Sequence, residues 1–154
     1  MKDARIVSFL RFSSEITGFK VIELRGTGES DEYLATVDRI ASPKLVDELL
    51  EKYAALEEET GAQREQAMRR TIFGNERIGP IARNVIKLWY VGIWYQLPKG
   101  WRDAYGAREE DVTFTVSPNA YTQGLLWPAI GANPAGAKAP GYGSWAAPPK
   151  IPHF

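Results

Sequence analysis

The chain has 154 residues, of which 25% are charged, and its 19 basic and 19 acidic side chains give a formal net charge of +0. This length suits a single domain, and the balanced charge argues against a nucleic-acid binder or a polybasic membrane anchor. Because the sequence contains no cysteine, it excludes disulfides, thiolate nucleophiles and cysteine-ligated metal or haem sites. No stretch is apolar for long enough to predict a transmembrane helix.

Two helices are predicted in the first 41 residues. Hydrophobic residues at helical spacing predict the first helix from Asp3 to Thr17. Residues 19–28 are expected to form a connector, and Thr27 or Ser30 opens the second helix. The predicted buried stripe of the second helix comprises Tyr33, Leu34, Val37 and Ile40.

The middle of the chain gives the clearest helix signal. Ser42 is the predicted N-cap, Pro43 fits the first turn, and Gly61 is expected to end the helix. The polar residues 62–79 form either another helix or an excursion.

A strongly apolar helix is then predicted from residue 81 until Pro98 ends it. Its aromatic side chains, including Trp89 and Trp94, fall on more than one helix face. A helix that is apolar on most sides is buried on most sides, so we expect a partner to cover part of it. Residues 99–111 are a predicted loop, and the alternating residues 112–116 form a short strand or an extended linker.

The last predicted helix begins at Ser117-Pro118, presents Tyr121 and Trp127, and should kink or break at Pro128. Residues 131–154 contain four Gly, five Pro and six Ala, a mixture that disfavours helix and sheet. This segment nevertheless contains large aromatic residues, which serve as anchors either on the parent bundle or on another chain.

Together these patterns predict an all-α fold. Residues 1–130 form a small helical bundle, and residues 131–154 form an extended C-terminal strap of the same domain, irregular and rich in Gly, Pro and aromatic residues.

Candidate catalytic chemistry is sparse in this sequence. The single histidine, His153, lies next to the C-terminus, and the carboxylates of residues 51–59 fit a solvated helix face. The segment "RGTGES" lacks the complete dinucleotide and phosphate-loop motifs. We therefore predict no catalytic, cofactor-binding or metal site in this chain.

The segments "NVIKLWYVGIWYQLP" and "SPNAYTQGLLWPAIGANPAGAKAPGYGSWAAPP" resemble the small subunits of membrane-associated, FAD-dependent sugar and polyol dehydrogenases. This sorbitol-dehydrogenase-type small-subunit family is related to gluconate 2-dehydrogenase subunit 3. The N-terminal "FLRFSSEITGF", "ELRGTG" and "YLATV" are similar to the opening of that family.

The resemblance implies a non-catalytic small subunit that binds and stabilises a large subunit of the glucose–methanol–choline (GMC) oxidoreductase type and assists its maturation or export. The large subunit holds the FAD, and many complexes of the family add a multihaem cytochrome. The resemblance also implies the periplasm or the periplasmic face of the inner membrane. The absence of a leader pattern at the start of this sequence leaves the cytoplasm as the alternative.

The residues expected to bind the partner are Trp89, Trp94, Tyr121, Trp127, Pro140, Tyr142 and Trp145. A second hypothesis is a self-contained helical binding module for a small sugar or apolar ligand, with these aromatic residues around an internal pocket.

Overall fold

A computed structural model of the protein describes residues 2–134, where helices predominate and confirm the predicted all-α class. The α-helices are α1 (Lys2–Thr17), α2 (Val21–Gly26), α3 (Ser30–Ala41), α4 (Pro43–Ala54), α5 (Gly61–Met68), α6 (Gly79–Val91), α7 (Lys99–Tyr105), α8 (Pro118–Gln123) and α9 (Leu126–Ala129). Two short strands, β1 (Ile93–Trp94) and β2 (Phe114–Thr115), pair antiparallel. Pro140, Tyr142 and Trp145, and with them most of the predicted strap, lie outside the described residues.

Helix α6 lies at the centre of the hydrophobic core and contacts α1, α3, α8 and α9. Its fully buried residues are Ile81, Ala82, Val85 and Leu88. These recur at the spacing of one helix face, and the strongly apolar helix predicted from residue 81 is present as far as Val91. The stripe predicted for the second helix is also buried. All four of its residues lie on α3 and belong to the hydrophobic core: Tyr33, Leu34, Val37 and Ile40.

The junction between α3 and α4 is set by Ser42. The Leu45 backbone N–H donates to Ser42 Oγ at 3.2 Å and Pro43 occupies the first turn, so the predicted N-cap is confirmed. Ser42 has a φ of 104°, and in the described part of the chain it is the single non-glycine residue with positive φ. This conformation costs about 1–3 kcal/mol, so the cap and its surroundings hold the backbone in place.

The predicted end of that helix at Gly61 is wrong, because α4 ends at Ala54 and Gly61 begins α5. The polar segment that follows is helical rather than an excursion. A π-helical turn, Arg69–Phe73, continues α5 and closes with the Gly74 N–H donating to the Arg69 carbonyl at 2.7 Å. Ile72 is fully buried, so this turn contributes an anchor to the core.

Two short helices, α2 and α7, lie where a connector and a loop were predicted. Each is fixed by one buried side chain instead of a stripe: Leu24 in α2 and Trp101 in α7. The Trp101 indole N–H donates to the Arg77 carbonyl at 2.7 Å. Hydrophobic periodicity did not predict these helices because they are barely two turns long.

Arg5 joins the first helix to two others. Its Nη1 and Nη2 both donate to the Asp38 carboxylate at 2.7 Å, and its Nε donates to Asp47 Oδ1 at 2.6 Å. Asp38 lies on α3 and Asp47 on α4, so one guanidinium group connects three helices. The hydrogen bond to Asp38 is the largest cause of the raised pKa of Arg5.

A second polar cluster joins α1, α4 and α5. Arg64 donates through Nε and Nη2 to the two oxygens of Glu15 at 2.6 and 2.8 Å, and through Nη1 to the Leu56 carbonyl at 2.5 Å. The Tyr53 hydroxyl donates to the same carboxylate at 2.8 Å. The bond from Arg64 lowers the pKa of Glu15, and burial, followed by the bond to Glu15, raises the pKa of Tyr53 to about 12.

Replacing Glu15 by Gln is expected to lower the free energy of unfolding at pH 7 by about 0.5–1 kcal/mol, because the pair is partly exposed and screened by solvent. The folded-state pKa of Glu15 lies below its ordinary value of 4.5. The stabilisation is therefore fully present above that value and is lost as the pH falls through the lower folded-state pKa. Urea unfolding of both proteins at pH 7 and pH 3 measures this, and the difference should shrink at pH 3.

Glu65→Gln is the matched control for this substitution. Glu65 pairs with Arg69 through one contact between side chains that are 65% and 76% exposed, so its removal should change stability by less than about 0.5 kcal/mol. Equal losses for the two variants, or a loss at Glu15 that persists at pH 3, would contradict the assigned role of Glu15.

Candidate interaction surface

The carboxyl end of α6 determines where the last third of the described chain lies. The predicted continuation of this helix to Pro98 is wrong, because Gly92 adopts a left-handed φ of 69° and ends the helix at Val91. A Cβ atom at Gly92 would lie 2.7 Å from the backbone of Ala120 in α8. Glycine is therefore required here both by the turn and by the close approach of α8.

Backbone hydrogen bonds fasten the C-terminal helices to this end of α6. The Leu125 N–H donates to the Trp89 carbonyl at 2.9 Å, and the Val116 N–H donates to the Gly92 carbonyl at 2.9 Å. A Cβ atom at Gly124 would lie 2.6 Å from the Tyr90 carbonyl oxygen. The last carbonyls of a helix have no hydrogen-bond partners within the helix. Here the chain between β2 and α9 supplies backbone N–H donors for carbonyls at the end of α6.

The helix predicted after Ser117 breaks at Gly124, and the predicted break at Pro128 is wrong. Gly124 is extended where the chain passes over Tyr90, so α8 ends there and α9 begins at Leu126. Pro128 lies within the single turn of α9, where its missing N–H breaks no helical hydrogen bond.

The start of α8 is anchored to the turn between α2 and α3. The predicted cap is confirmed, since the Ala120 N–H donates to Ser117 Oγ at 3.0 Å. The side-chain amide of Asn119 donates to the buried carboxylate of Glu29. Neither this carboxylate nor its bond to Asn119 was predicted, because residues 90 positions apart give no local pattern.

Four apolar side chains of α8, α9 and the residue that follows α9 are exposed or half-buried, and we call them together the α8–α9 face: Tyr121, Leu126, Trp127 and Ile130. Tyr121 is 39% exposed and Ile130 is 61% exposed, while Trp127 is half-buried. The Tyr121 and Trp127 rings pack edge to face, with centroids 5.6 Å apart, and the Trp127 indole N–H donates to the Tyr121 carbonyl at 2.8 Å. The two aromatic residues are thus held as one unit.

Trp89 and Trp94, the other two tryptophans predicted to bind a partner within the described residues, are buried. Trp89 is 1% exposed and packs against Tyr33, with ring centroids 4.9 Å apart, and against Phe9. Trp94 is fully buried and its indole N–H donates to Asp111 Oδ1 at 3.0 Å. The chain itself covers both side chains, so no partner is needed to bury them.

Tyr33 lies beside this cluster, and burial, with the nearby Glu29 as a second cause, raises the pKa of its hydroxyl. It therefore remains a neutral ring in the core. Of the predicted partner-binding residues in the described range, Tyr121 and Trp127 are brought together at the surface, while Trp89 and Trp94 are separated from them in the interior.

The α8–α9 face belongs to an uncharged stretch of sequence. No Asp, Glu, Lys or Arg occurs from Val112 to Ala137, although 25% of the chain is charged. Interface cores are depleted in charge and enriched in Tyr and Trp, so this stretch is a signal that points to Leu126 and Ile130 as well as to the aromatic pair.

Comparison of the chain with protein-family models, curated proteins and solved structures finds no match. Within residues 2–134, none of the helices is both long enough and apolar enough to cross a bilayer. In the same range, no three acidic or histidine side chains are grouped as metal ligands.

Gly92→Ala is expected to destabilise the protein by at least about 2 kcal/mol. About 1–2 kcal/mol comes from the left-handed conformation, and the remainder comes from the displaced backbone of α8. Gly28→Ala is the matched control, because Gly28 has a similar φ of 74° and no atom within 4 Å of an added Cβ. Urea unfolding should show a clearly larger loss at Gly92. Equal losses would show that α8 does not lie against Gly92.

Proposed function

We propose that this chain is the non-catalytic small subunit of a sugar or polyol dehydrogenase complex. It binds and stabilises the FAD-containing, GMC-type large subunit and assists its maturation or export. The observation that carries this proposal is the α8–α9 face, an exposed aromatic and aliphatic surface that leads directly into residues 135–154 of the sequence.

The composition of the face favours a protein partner. The residues whose replacement by alanine weakens protein interfaces most strongly are enriched in Trp and Tyr. The face presents one residue of each type, and their rings are in contact. The adjoining residues Leu126 and Ile130 are 36% and 61% exposed and extend the apolar area. The uncharged sequence around them lowers the cost of removing this surface from water.

The backbone beneath the face favours tight binding. Leu125 is 3% exposed, and its backbone N–H donates to the Trp89 carbonyl. Ala120 packs against Gly92. Tyr121 and Trp127 therefore project from a platform that is fixed before binding. A preorganised surface loses less conformational freedom when a partner binds, so more of the contact energy contributes to affinity.

The extension supplies a second set of anchors in the same chain. Residues 135–154 carry Pro140, Tyr142 and Trp145 and are covalently continuous with the face. When one of two linked contacts has formed, it holds the other at a high effective concentration near the same partner. The face and the extension together would therefore bind one partner more tightly than either alone.

The choice of partner rests on the resemblance of residues 84–98 and 117–149 to small subunits of FAD-dependent dehydrogenases. Segment 84–98 contains the buried Trp89 and Trp94, and segment 117–149 contains the face and the aromatic residues of the extension. The resembling residues are thus those that build the platform and those that project from it. From the same resemblance we infer a periplasmic setting.

The proposal is tested by co-expressing the tagged full chain with a GMC-type, FAD-dependent dehydrogenase from the same genome and measuring captured flavin absorbance. The wild-type chain should capture the flavoprotein in a defined ratio. The double variant Tyr121→Ala/Trp127→Ala should weaken capture by about 30-fold, the effect of losing a strong interface anchor. Truncation after Pro134 should also weaken capture.

Tyr105→Ala is the matched control, because Tyr105 is a tyrosine of similar exposure, 43%, on helix α7 and outside the α8–α9 face. Its capture should equal that of the wild-type chain. Circular dichroism confirms that each variant is folded before capture is compared. A folded wild-type chain that captures no flavoprotein, or a double variant that captures as well as wild type, overturns the proposal.

A further inference from the structure

A cleft of about 440 Å3 lies between the α3–α4 junction and α7 with the loop that follows it. Its volume is within the range of small-molecule sites. Ile40 and Leu45 contribute apolar surface to it, and Ser42, with its unusual positive φ, lies in the wall between them.

One side of the cleft is aromatic. Trp101 and Tyr105 both line it, with ring centroids 5.5 Å apart and planes tilted by 56°. Trp101 is held by its indole bond to the Arg77 carbonyl and is 8% exposed, whereas Tyr105 is 43% exposed. The fixed indole supports the accessible phenol of Tyr105, which provides an apolar face for a ring.

Two guanidinium groups, those of Arg77 and Arg108, also line the cleft, and none of the described residues lining it is Asp or Glu. Arg108 is positioned by Nη1, which donates to the Arg39 carbonyl at 2.9 Å. Arg77 pairs through Nη2 with Glu48. The Nε of Arg77 is buried and has no acceptor within the described residues, and a buried donor left without a partner is costly.

We propose that this cleft binds a small ring compound that carries a carboxylate. The ring lies against Tyr105, which Trp101 supports, and the carboxylate accepts hydrogen bonds from the guanidinium groups of Arg108 and Arg77, because guanidinium N–H groups are strong donors to carboxylates. A sugar acid and an aromatic acid share this chemistry. The proposal is independent of the α8–α9 face and of the dehydrogenase partner.

Isothermal titration calorimetry of the full chain with glucuronate, a sugar acid, and with 4-hydroxybenzoate, an aromatic acid, tests the proposal and distinguishes the two classes of ligand. Glucose, a ring without a carboxylate, and acetate, a carboxylate without a ring, are the control ligands. At least one of the two acids should bind at millimolar or lower concentration, at least about tenfold more tightly than either control, because hydrogen bonds to charged groups are strong.

Arg108→Gln and Tyr105→Ala should each weaken binding of that acid by about tenfold. Both residues are exposed, so these substitutions should leave the fold intact. Arg70→Gln removes the same charge at an exposed position outside the cleft and should leave binding unchanged. Binding of neither acid, equal binding of a control ligand, or an equal loss in Arg70→Gln overturns the proposal.

Discussion

The position of α8 and α9 on the core depends on the hydrogen bond from the Leu125 N–H to the Trp89 carbonyl at the carboxyl end of α6. A helix end leaves carbonyl groups without partners, and burying them unpaired would be costly. Here the end of α6 is followed by a left-handed glycine and is covered by α8 and α9. The side chain of Trp89 faces the core while its carbonyl fixes the outer layer, so one residue links the interior to the surface.

This constraint explains why the aromatic residues divide into two groups. Trp89 and Trp94 precede and follow the glycine turn and are covered by the chain's own residues. Tyr121 and Trp127 lie on the layer that is placed over that turn and therefore point away from the core. The buried pair supports the platform, and the exposed pair is the part that a partner can contact.

The starts of several helices were predictable from sequence, whereas the contacts that end α6 and hold α8 on it were not. The caps at Ser42 and Ser117 were predicted because each serine side chain accepts a hydrogen bond from the backbone N–H three residues later, a spacing that the sequence shows directly. Gly92 instead lies inside the segment that was predicted as one apolar helix. Its turn was not predicted because it is required by contact with Ala120 in another helix. The surface was half predictable: aromatic content indicated Tyr121 and Trp127, but burial of Trp89 and Trp94 depends on Tyr33 and Asp111, which are distant in sequence.

Amide hydrogen exchange of the full chain, measured residue by residue by NMR, tests whether α8 and α9 are held on the end of α6. We expect the Leu125 amide to be protected to the same degree as the Gly92 amide, which donates to the Leu88 carbonyl at the same helix end. If Leu125 exchanged at the rate of an unprotected amide while Gly92 stayed protected, α8 and α9 would not be held on α6, and the exposed aromatic pair would have no fixed platform.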